Sequence, residues 1–150
     1  MKISIGSDHG GFQLKEFLKE RLTGEGHEIT DRGCPDPSSV DYPDIAFDVS
    51  KDVAGGFHQL GILICGTGIG MSNAASRVDG IVAALCTNAY MAEMARKHND
   101  ANILCLGGRV VGDELAWSIV LAFLDNEPLR NEKYIRRRKK VADGSTFRED

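Results

Sequence analysis

Five short β-rich runs alternate with helical patterns along the chain, and this alternation limits the possible folds more than any other feature. The strand candidates cover residues 2–6, 27–31, 61–65, 81–86 and 102–107. Apolar residues recur at helical spacing in segments 12–22, 44–55, 72–78, 89–98 and 113–124. Such alternation is typical of an α/β fold with helices on both faces of a parallel sheet. We predict a doubly wound, five-stranded parallel sheet in the order 2-1-3-4-5.

Length and composition indicate one domain. The 150 residues are 42% hydrophobic, which is enough for one compact core. Residues 1–127 are predicted to form the α/β core, and residues 128–150 a basic, helical C-terminal extension that contains the run RRRKK.

Several function classes are disfavoured by the same numbers. The net charge of −4 argues against general binding to nucleic acid, and the apolar runs are too short to span a membrane. The start, MKISIGSDHGG, lacks the pattern of a signal peptide, so we expect a cytoplasmic protein. The four cysteines lie far apart without a CxxC pair, which predicts neither a metal site nor a disulfide framework. We expect no cofactor.

Ligands of doubly wound sheets bind beyond the carboxyl ends of the strands, where the strand order reverses. In the predicted order, the loops after the first and third strands flank that point. Asp8 and His9 would then face Cys65, so an acid, an imidazole and a thiol would share one pocket.

Glycines 66, 68 and 70 follow Cys65 at every second position. The dinucleotide motif GxGxxG would need glycine at Met71, and a P-loop would need a lysine that is absent. The remaining interpretation is a turn whose backbone N–H groups hold an anion, or negative charge that develops during a reaction. A thiol near a helix N-terminus favours the thiolate, so Cys65 could act as base or nucleophile. Cys86 and Cys105, inside apolar strands, are predicted to be buried core residues.

Other polar residues near the predicted pocket have two interpretations each. Asp8 could instead cap the following helix, and His9 could be an ordinary loop residue. Tyr42 could pack the start of a helix or reach the pocket. Arg109, after the fifth strand, could bind phosphate or lie free on the surface.

Five motifs together carry a family resemblance: SDHGG, DYPD, ILICGTGIGMS, KHNDANIL and GGRVVG. In this order and spacing, the chain resembles the type B ribose-5-phosphate isomerases and related sugar-phosphate isomerases, from Met1 to about Leu124. The resemblance implies a flavodoxin-like sheet, a metal-free aldose–ketose isomerase, a sugar-phosphate substrate, and a homodimer or dimer of dimers.

The resemblance also implies roles for individual residues. Cys65 would move a proton between C1 and C2 of the sugar, and Thr67 would assist it. The amides of residues 66 to 70 would hold the enediolate. Asp8 and His98 would help to open the sugar ring, Asn99 would contact the enediolate region, and His9 with Arg109 would bind phosphate.

The C-terminal region departs from the family pattern. Family members commonly carry GGRH followed by a second arginine, whereas this chain reads LRNEKYIRRRKK. Lys133 and Arg137 keep the four-residue spacing, and Arg136 is an equally plausible phosphate ligand. The substrate therefore stays open between ribose 5-phosphate, a variant pentose and a six-carbon sugar phosphate.

The predicted topology places His98 far from Cys65. His98 ends a helix that leads into the amino end of the fifth strand, whereas Cys65 and Asp8 follow carboxyl ends, and a five-residue strand spans about 17 Å. If His98 is catalytic, it must serve the site of a neighbouring subunit; otherwise it caps its own helix through the dipole.

Two other function classes stay open. A thiol-transfer enzyme would use Cys65 but would want a resolving cysteine nearby in sequence, and there is none. A non-catalytic module that binds a phosphorylated ligand would keep the glycine turn without needing Cys65.

Overall fold

The structure, a computed structural model, describes residues 1–144. Its five strands form one sheet in which every pair is parallel. The strands are β1 (Lys2–Ser7), β2 (Glu28–Asp31), β3 (Leu60–Cys65), β4 (Ala83–Leu85) and β5 (Ile103–Gly107). The predicted α/β fold with a five-stranded parallel sheet is confirmed.

Helices connect the strands and continue beyond the last one. They are α1 (Phe12–Gly24), α2 (Tyr42–Ala54), α3 (Ile69–Ala75), α4 (Ala89–Asn99), α5 (Asp113–Leu124) and α6 (Glu132–Asp143), and a 3₁₀ turn covers His9–Gly11. Helix α6 lies in the predicted C-terminal extension, whose last six residues, 145–150, lie outside the described part of the chain. No helix within residues 1–144 has the length and apolar character to cross a membrane.

Helix α3 begins earlier than predicted. The sequence pattern placed this helix at 72–78, but it starts at Ile69 and ends at Ala75. Gly70 therefore belongs to its first turn. Glycine lowers helix propensity, which is why the pattern alone pointed to a later start.

The predicted strand order was wrong at one end. The observed order is β2-β1-β3-β5-β4, so β5 pairs with β3 and β4 lies at the edge. All five residues of β5 are buried, as a central strand requires, whereas β4 has only three residues and each is half-buried. The loop after β5 consequently lies next to the loop after β3.

Apolar residues fill both faces of the sheet. One cluster packs α1, α4 and α5 against residues such as Ile3, Ile62 and Leu104. The other packs α2 and α3 against residues such as Leu63 and Cys105. Helices thus cover both faces of the sheet, as predicted. Ligands can approach the sheet at the ends of its strands and along its two outer strands.

A buried lysine ties α1 to the edge strand β2. The Lys15 side chain is fully buried, and its Nζ donates to both carboxylate oxygens of Asp31, at 2.9 and 2.7 Å. Burial acts to raise the pKa of Asp31, but hydrogen bonds from Lys15 and Lys19 outweigh it and hold this pKa below its ordinary value. Asp31 also accepts a hydrogen bond from the Gly33 N–H at 2.9 Å. Gly33 in turn accepts from the N–H of Ser7 at 2.6 Å, so this ion pair fixes the loop beside the end of β1.

We predict that Lys15→Met lowers the free energy of unfolding by about 2 kcal/mol at pH 7, because Asp31 loses the buried one of its two charged donors and keeps only Lys19. Asp31 has a depressed pKa in the folded state, so the pair's contribution is present above the ordinary Asp pKa and is lost as pH falls through the folded value. Urea unfolding of both proteins at pH 7 and at about pH 3 measures this difference. A difference that stays the same at both pH values would contradict the assignment.

Candidate active site

Three loops meet beyond the carboxyl ends of β1, β3 and β5. This side of the sheet is called its carboxyl edge, and the opposite side, where the strands begin, its amino edge; both differ from the edge strands β2 and β4. Backbone hydrogen bonds join them: the Asp8 N–H donates to the Ile64 carbonyl at 3.2 Å, and the Gly108 N–H donates to the Cys65 carbonyl at 2.8 Å. The Arg109 N–H donates to the Gly66 carbonyl at 3.0 Å. The loops after β1 and β3 therefore meet, as predicted. In the corrected strand order, the loop after β5 joins them.

Glycines allow these loops to touch through their backbones. A Cβ added at Gly10 would lie 3.0 Å from the Gly66 nitrogen, and one added at Gly108 would lie 2.6 Å from the Gly10 carbonyl oxygen. Any side chain at these positions would push the loops apart. Gly10 and Gly108 therefore set the distance between the polar groups that the three loops carry.

The point at which the three loops are hydrogen-bonded to one another is called the junction below. Cys65 is the last residue of β3 and lies at this junction, where its carbonyl accepts from Gly108. Its side chain is 5% exposed, and its Sγ accepts a hydrogen bond from the Gly68 N–H at 3.1 Å. Gly68 has φ of 80°, a left-handed conformation that turns the chain into α3 and points its N–H back at the sulfur. A backbone donor aimed at sulfur stabilises negative charge there.

The other cysteines lie in different surroundings. Burial raises the pKa of the Cys86 thiol to about 11. Burial also raises the pKa of Cys105, which is completely inaccessible to solvent. Both remain thiols at neutral pH, in line with the prediction that they are core residues. Cys34, also buried, lies 4.0 Å from the Ser7 hydroxyl.

Asp8 and His9 lie in the turn after β1. Asp8 is 7% exposed, and its Oδ1 accepts from the Gly10 N–H at 2.8 Å, so it caps the 3₁₀ turn. Its second carboxylate oxygen is not used by this cap. His9 is half-buried, and its Nδ1 is buried without a hydrogen-bond partner among residues 1–144. Asp8 therefore caps the turn that follows it, and its other carboxylate oxygen remains available for a second contact.

The remaining predicted residues at this edge line the same junction. The Thr67 hydroxyl accepts from the Ile69 N–H at 3.2 Å, within the turn that leads into α3. The exposed Arg109 side chain folds back over Gly66, where an added Cβ would lie 3.3 Å from Nη1. Tyr42, at the start of α2, lies against Gly70, with its Cζ 2.7 Å from where a Cβ would be.

His98 and Asn99 are not part of this junction. They form the last turn of α4, which leads into the amino end of β5, at the opposite edge of the sheet from Cys65. His98 is half-buried and Asn99 is exposed. The structure thus separates the predicted site residues into two groups, one at each edge.

Helix α6 lies beside His98 and carries the three predicted C-terminal phosphate ligands. Lys133 Nζ lies 4.8 Å from the ring centroid of Tyr134, and Arg136 pairs with Glu132 at 4.0 Å on the exposed helix surface. Arg137 is exposed. None of these cations belongs to the group around Cys65.

Two residues of α6 that the sequence analysis missed contact the end of α4. The Tyr134 ring stacks on His98, with centroids 4.6 Å apart and an interplanar angle of 14°. The Arg138 guanidinium donates to the carbonyl of His98 at 3.4 Å and to that of Leu129 at 2.9 Å. Their four-residue spacing puts both on one helix face, but this pattern does not indicate which residues that face contacts.

Among residues 1–144, no group of three or more His, Cys, Asp or Glu side chains is arranged to hold a metal ion. The polar groups at the junction are instead a thiol, a carboxylate, an imidazole, a guanidinium and backbone N–H groups. This set suits proton transfer and anion binding.

Comparison with known proteins agrees with this arrangement. The family model described as Ribose/Galactose Isomerase matches residues 3–141. The chain is 48% identical over 123 residues to ribose-5-phosphate isomerase B of Escherichia coli, covering 82% of this chain and 83% of that one. It is 43% identical over 129 residues to a D-erythrulose-4-phosphate isomerase of Pectobacterium atrosepticum, covering 85% and 84% of the two chains.

The solved structure of ribose-5-phosphate isomerase B from Clostridium thermocellum superposes with a TM-score of 0.93 at 50% identity, over 95% of this chain and 96% of that one. Family model, sequence relatives and solved structure thus agree over most of the chain. The chain belongs to the ribose/galactose isomerase family of enzymes.

Proposed function

We propose that this sugar-phosphate isomerase interconverts ribose 5-phosphate and ribulose 5-phosphate through an enediolate, with Cys65 as the base. The observation that carries the proposal is the placement of the Cys65 sulfur beside a glycine turn that donates a backbone N–H to it. Proton removal next to a carbonyl needs a base and a preorganised site for the developing oxyanion. Residues 65 to 70 supply both.

The proposed proton transfer balances within the substrate. The Cys65 thiolate removes the C2 proton of the open-chain aldose, and the carbonyl at C1 becomes the enediolate oxyanion. Those amides of residues 66 to 70 that are not already bonded within the turn hold this oxyanion. The proton on O2 moves to O1, and the thiol returns its proton to C1. The product is the 2-ketose, and the thiolate is regenerated. Thr67 assists by fixing the conformation of this turn through its hydrogen bond with the Ile69 N–H.

Ring opening needs a second pair of groups, because ribose 5-phosphate is a furanose. We assign this step to Asp8 and His98, and a contact with the enediolate region to Asn99. Asp8 retains a carboxylate oxygen that its cap does not use. An imidazole can exchange a proton near neutral pH. Because His98 lies at the other edge of its own sheet, the proposal requires His98 and Asn99 to come from a neighbouring subunit, in a symmetric dimer with two shared sites.

Phosphate binding is assigned to cations from both subunits. His9 and Arg109 lie at the junction of the three loops. Lys133 and Arg137 lie four residues apart on α6, on the same side of the subunit as His98, and neither is committed to a carboxylate partner among residues 1–144. Arg136 makes only a long, exposed contact with Glu132, at 4.0 Å, and such contacts are weak, so Arg136 is an equal candidate.

The substrate assignment predicts a preference for a pentose 5-phosphate. We expect kcat/KM for ribose 5-phosphate to exceed that for allose 6-phosphate and galactose 6-phosphate by at least about tenfold, the factor that one mismatched group in a fitted site commonly produces. Initial rates for the three aldoses under the same conditions test this. A hexose phosphate as the best substrate would support the alternative isomerase, and absence of turnover on all three would favour a binding module.

Cys65→Ala is expected to lower kcat for ribose 5-phosphate by at least about 1,000-fold, because it removes the base but leaves the glycine turn. Cys86→Ala is the matched control, since it deletes a buried thiol that lies elsewhere in the core. We expect it to keep kcat within about threefold of the original value. Binding of ribose 5-phosphate to Cys65→Ala, measured by calorimetry, should persist. Near-normal turnover by Cys65→Ala would refute the mechanism.

The shared site is tested by mixing two inactive variants, Cys65→Ala and His98→Ala. A mixed dimer with shared sites contains one site with both residues intact, so about half of the original activity per dimer should return. The mixed species is isolated with two different affinity tags before the assay. If verified mixed dimers stay inactive, His98 does not serve the site of the neighbouring subunit.

A further inference from the structure

Tyr134 holds the His98 ring through a planar contact. The two rings are nearly parallel, and their centroids are 4.6 Å apart. The flat face of the phenol therefore lies against the imidazole. The terminal torsion of histidine is broad, so an unsupported imidazole samples several orientations. A stacked ring removes this freedom, because rotation of the imidazole would drive its edge into the phenol.

The segment that carries Tyr134 is fixed to the end of α4 by independent contacts. The last carbonyls of a helix have no partner within the helix. Here the carbonyl of Lys97 accepts from the Leu129 N–H at 2.9 Å, and that of His98 accepts from Arg138. The guanidinium also places positive charge at the negative end of the helix dipole. Helix α6 thus caps α4 at the turn that contains His98.

We propose that Tyr134 is a positioning residue that orients the His98 imidazole for opening of the sugar ring. This inference rests on the proposed role of His98. Tyr134 touches the His98 ring and the Lys133 ammonium rather than the reacting atoms. At saturating substrate, where loss of a phosphate contact no longer limits the rate, its effect is confined to the step that His98 performs. Proton transfer between C1 and C2, assigned to Cys65, does not depend on it.

The two substrates of the proposed reaction separate these steps. Ribose 5-phosphate closes into a furanose through its O4 and must be opened. Ribulose 5-phosphate cannot form the corresponding ring, because the oxygen that would close it carries the phosphate. A defect in orienting His98 should therefore slow the reaction that starts from ribose 5-phosphate and spare enediolate formation from ribulose 5-phosphate.

The experiment measures both rates for Tyr134→Leu, which keeps apolar bulk and helix propensity but removes the flat ring. Initial rates from ribose 5-phosphate are followed by ketose formation. Rates from ribulose 5-phosphate are followed in D₂O by the loss of its C1 proton signal in NMR spectra. We expect the first rate to fall by about tenfold or more, since small displacements of catalytic groups cost up to about 100-fold, and the second to stay within about twofold.

Two variants serve as controls. Tyr134→Phe keeps the stacking ring and should restore both rates to within about twofold of the original. Lys139→Ala changes an exposed side chain of the same helix, paired with Asp143, and should alter neither rate.

Each alternative outcome is distinct. Equal losses of both rates in Tyr134→Leu would show a general structural role and overturn the inference, and so would two unchanged rates or a Tyr134→Phe variant as impaired as Tyr134→Leu. His98→Ala tests the underlying proposal separately. If His98→Ala keeps the rate from ribose 5-phosphate, the ring-opening role of His98 itself is wrong.

Discussion

The close approach of three loops through their glycines is the constraint on which the candidate site depends. Gly108 lies against Gly10 at a distance that leaves no room for a Cβ, and Gly10 lies so close to Gly66 that a Cβ there would displace the backbone. Backbone groups at this junction are hydrogen-bonded to one another, so the three loops are joined directly. A carboxylate, a thiol and a guanidinium from distant parts of the chain are consequently held near one point, as preorganised catalysis requires.

The residues of the proposed mechanism lie at opposite ends of the strands. The carboxyl edge holds Cys65 and the turn for the oxyanion, and the amino edge holds His98 with the helix that caps it. Strand length sets the separation, so no side-chain adjustment within one subunit can close it. Under the proposed function, association of subunits is therefore part of the active site, and a lone subunit would contain two incomplete halves.

Much of the fold and part of the site could be predicted from the sequence because the signals are local. The Cys65 position at the end of an apolar run, followed by alternating glycines, placed it correctly at the carboxyl edge. The order of β4 and β5 could not be read in this way, because both runs are apolar and their pairing depends on which one is buried on both faces. Tyr134 was missed for a related reason. Its partner His98 is 36 positions away, and no local pattern encodes a contact at that range.

The position of β4 also affects how the molecule behaves at high concentration. An edge strand exposes unpaired backbone N–H and C=O groups, and a long apolar one invites pairing with another molecule and aggregation. If β5, with its buried Ile, Leu and Cys residues, were the edge strand, the unpaired backbone groups of a five-residue apolar strand would face solvent. Instead one edge is the three-residue β4, and the other is β2, which begins with Glu28 and ends with Asp31. Both edge strands are thus short, and β2 also begins with the exposed, charged Glu28; these features disfavour pairing of the sheet with another molecule.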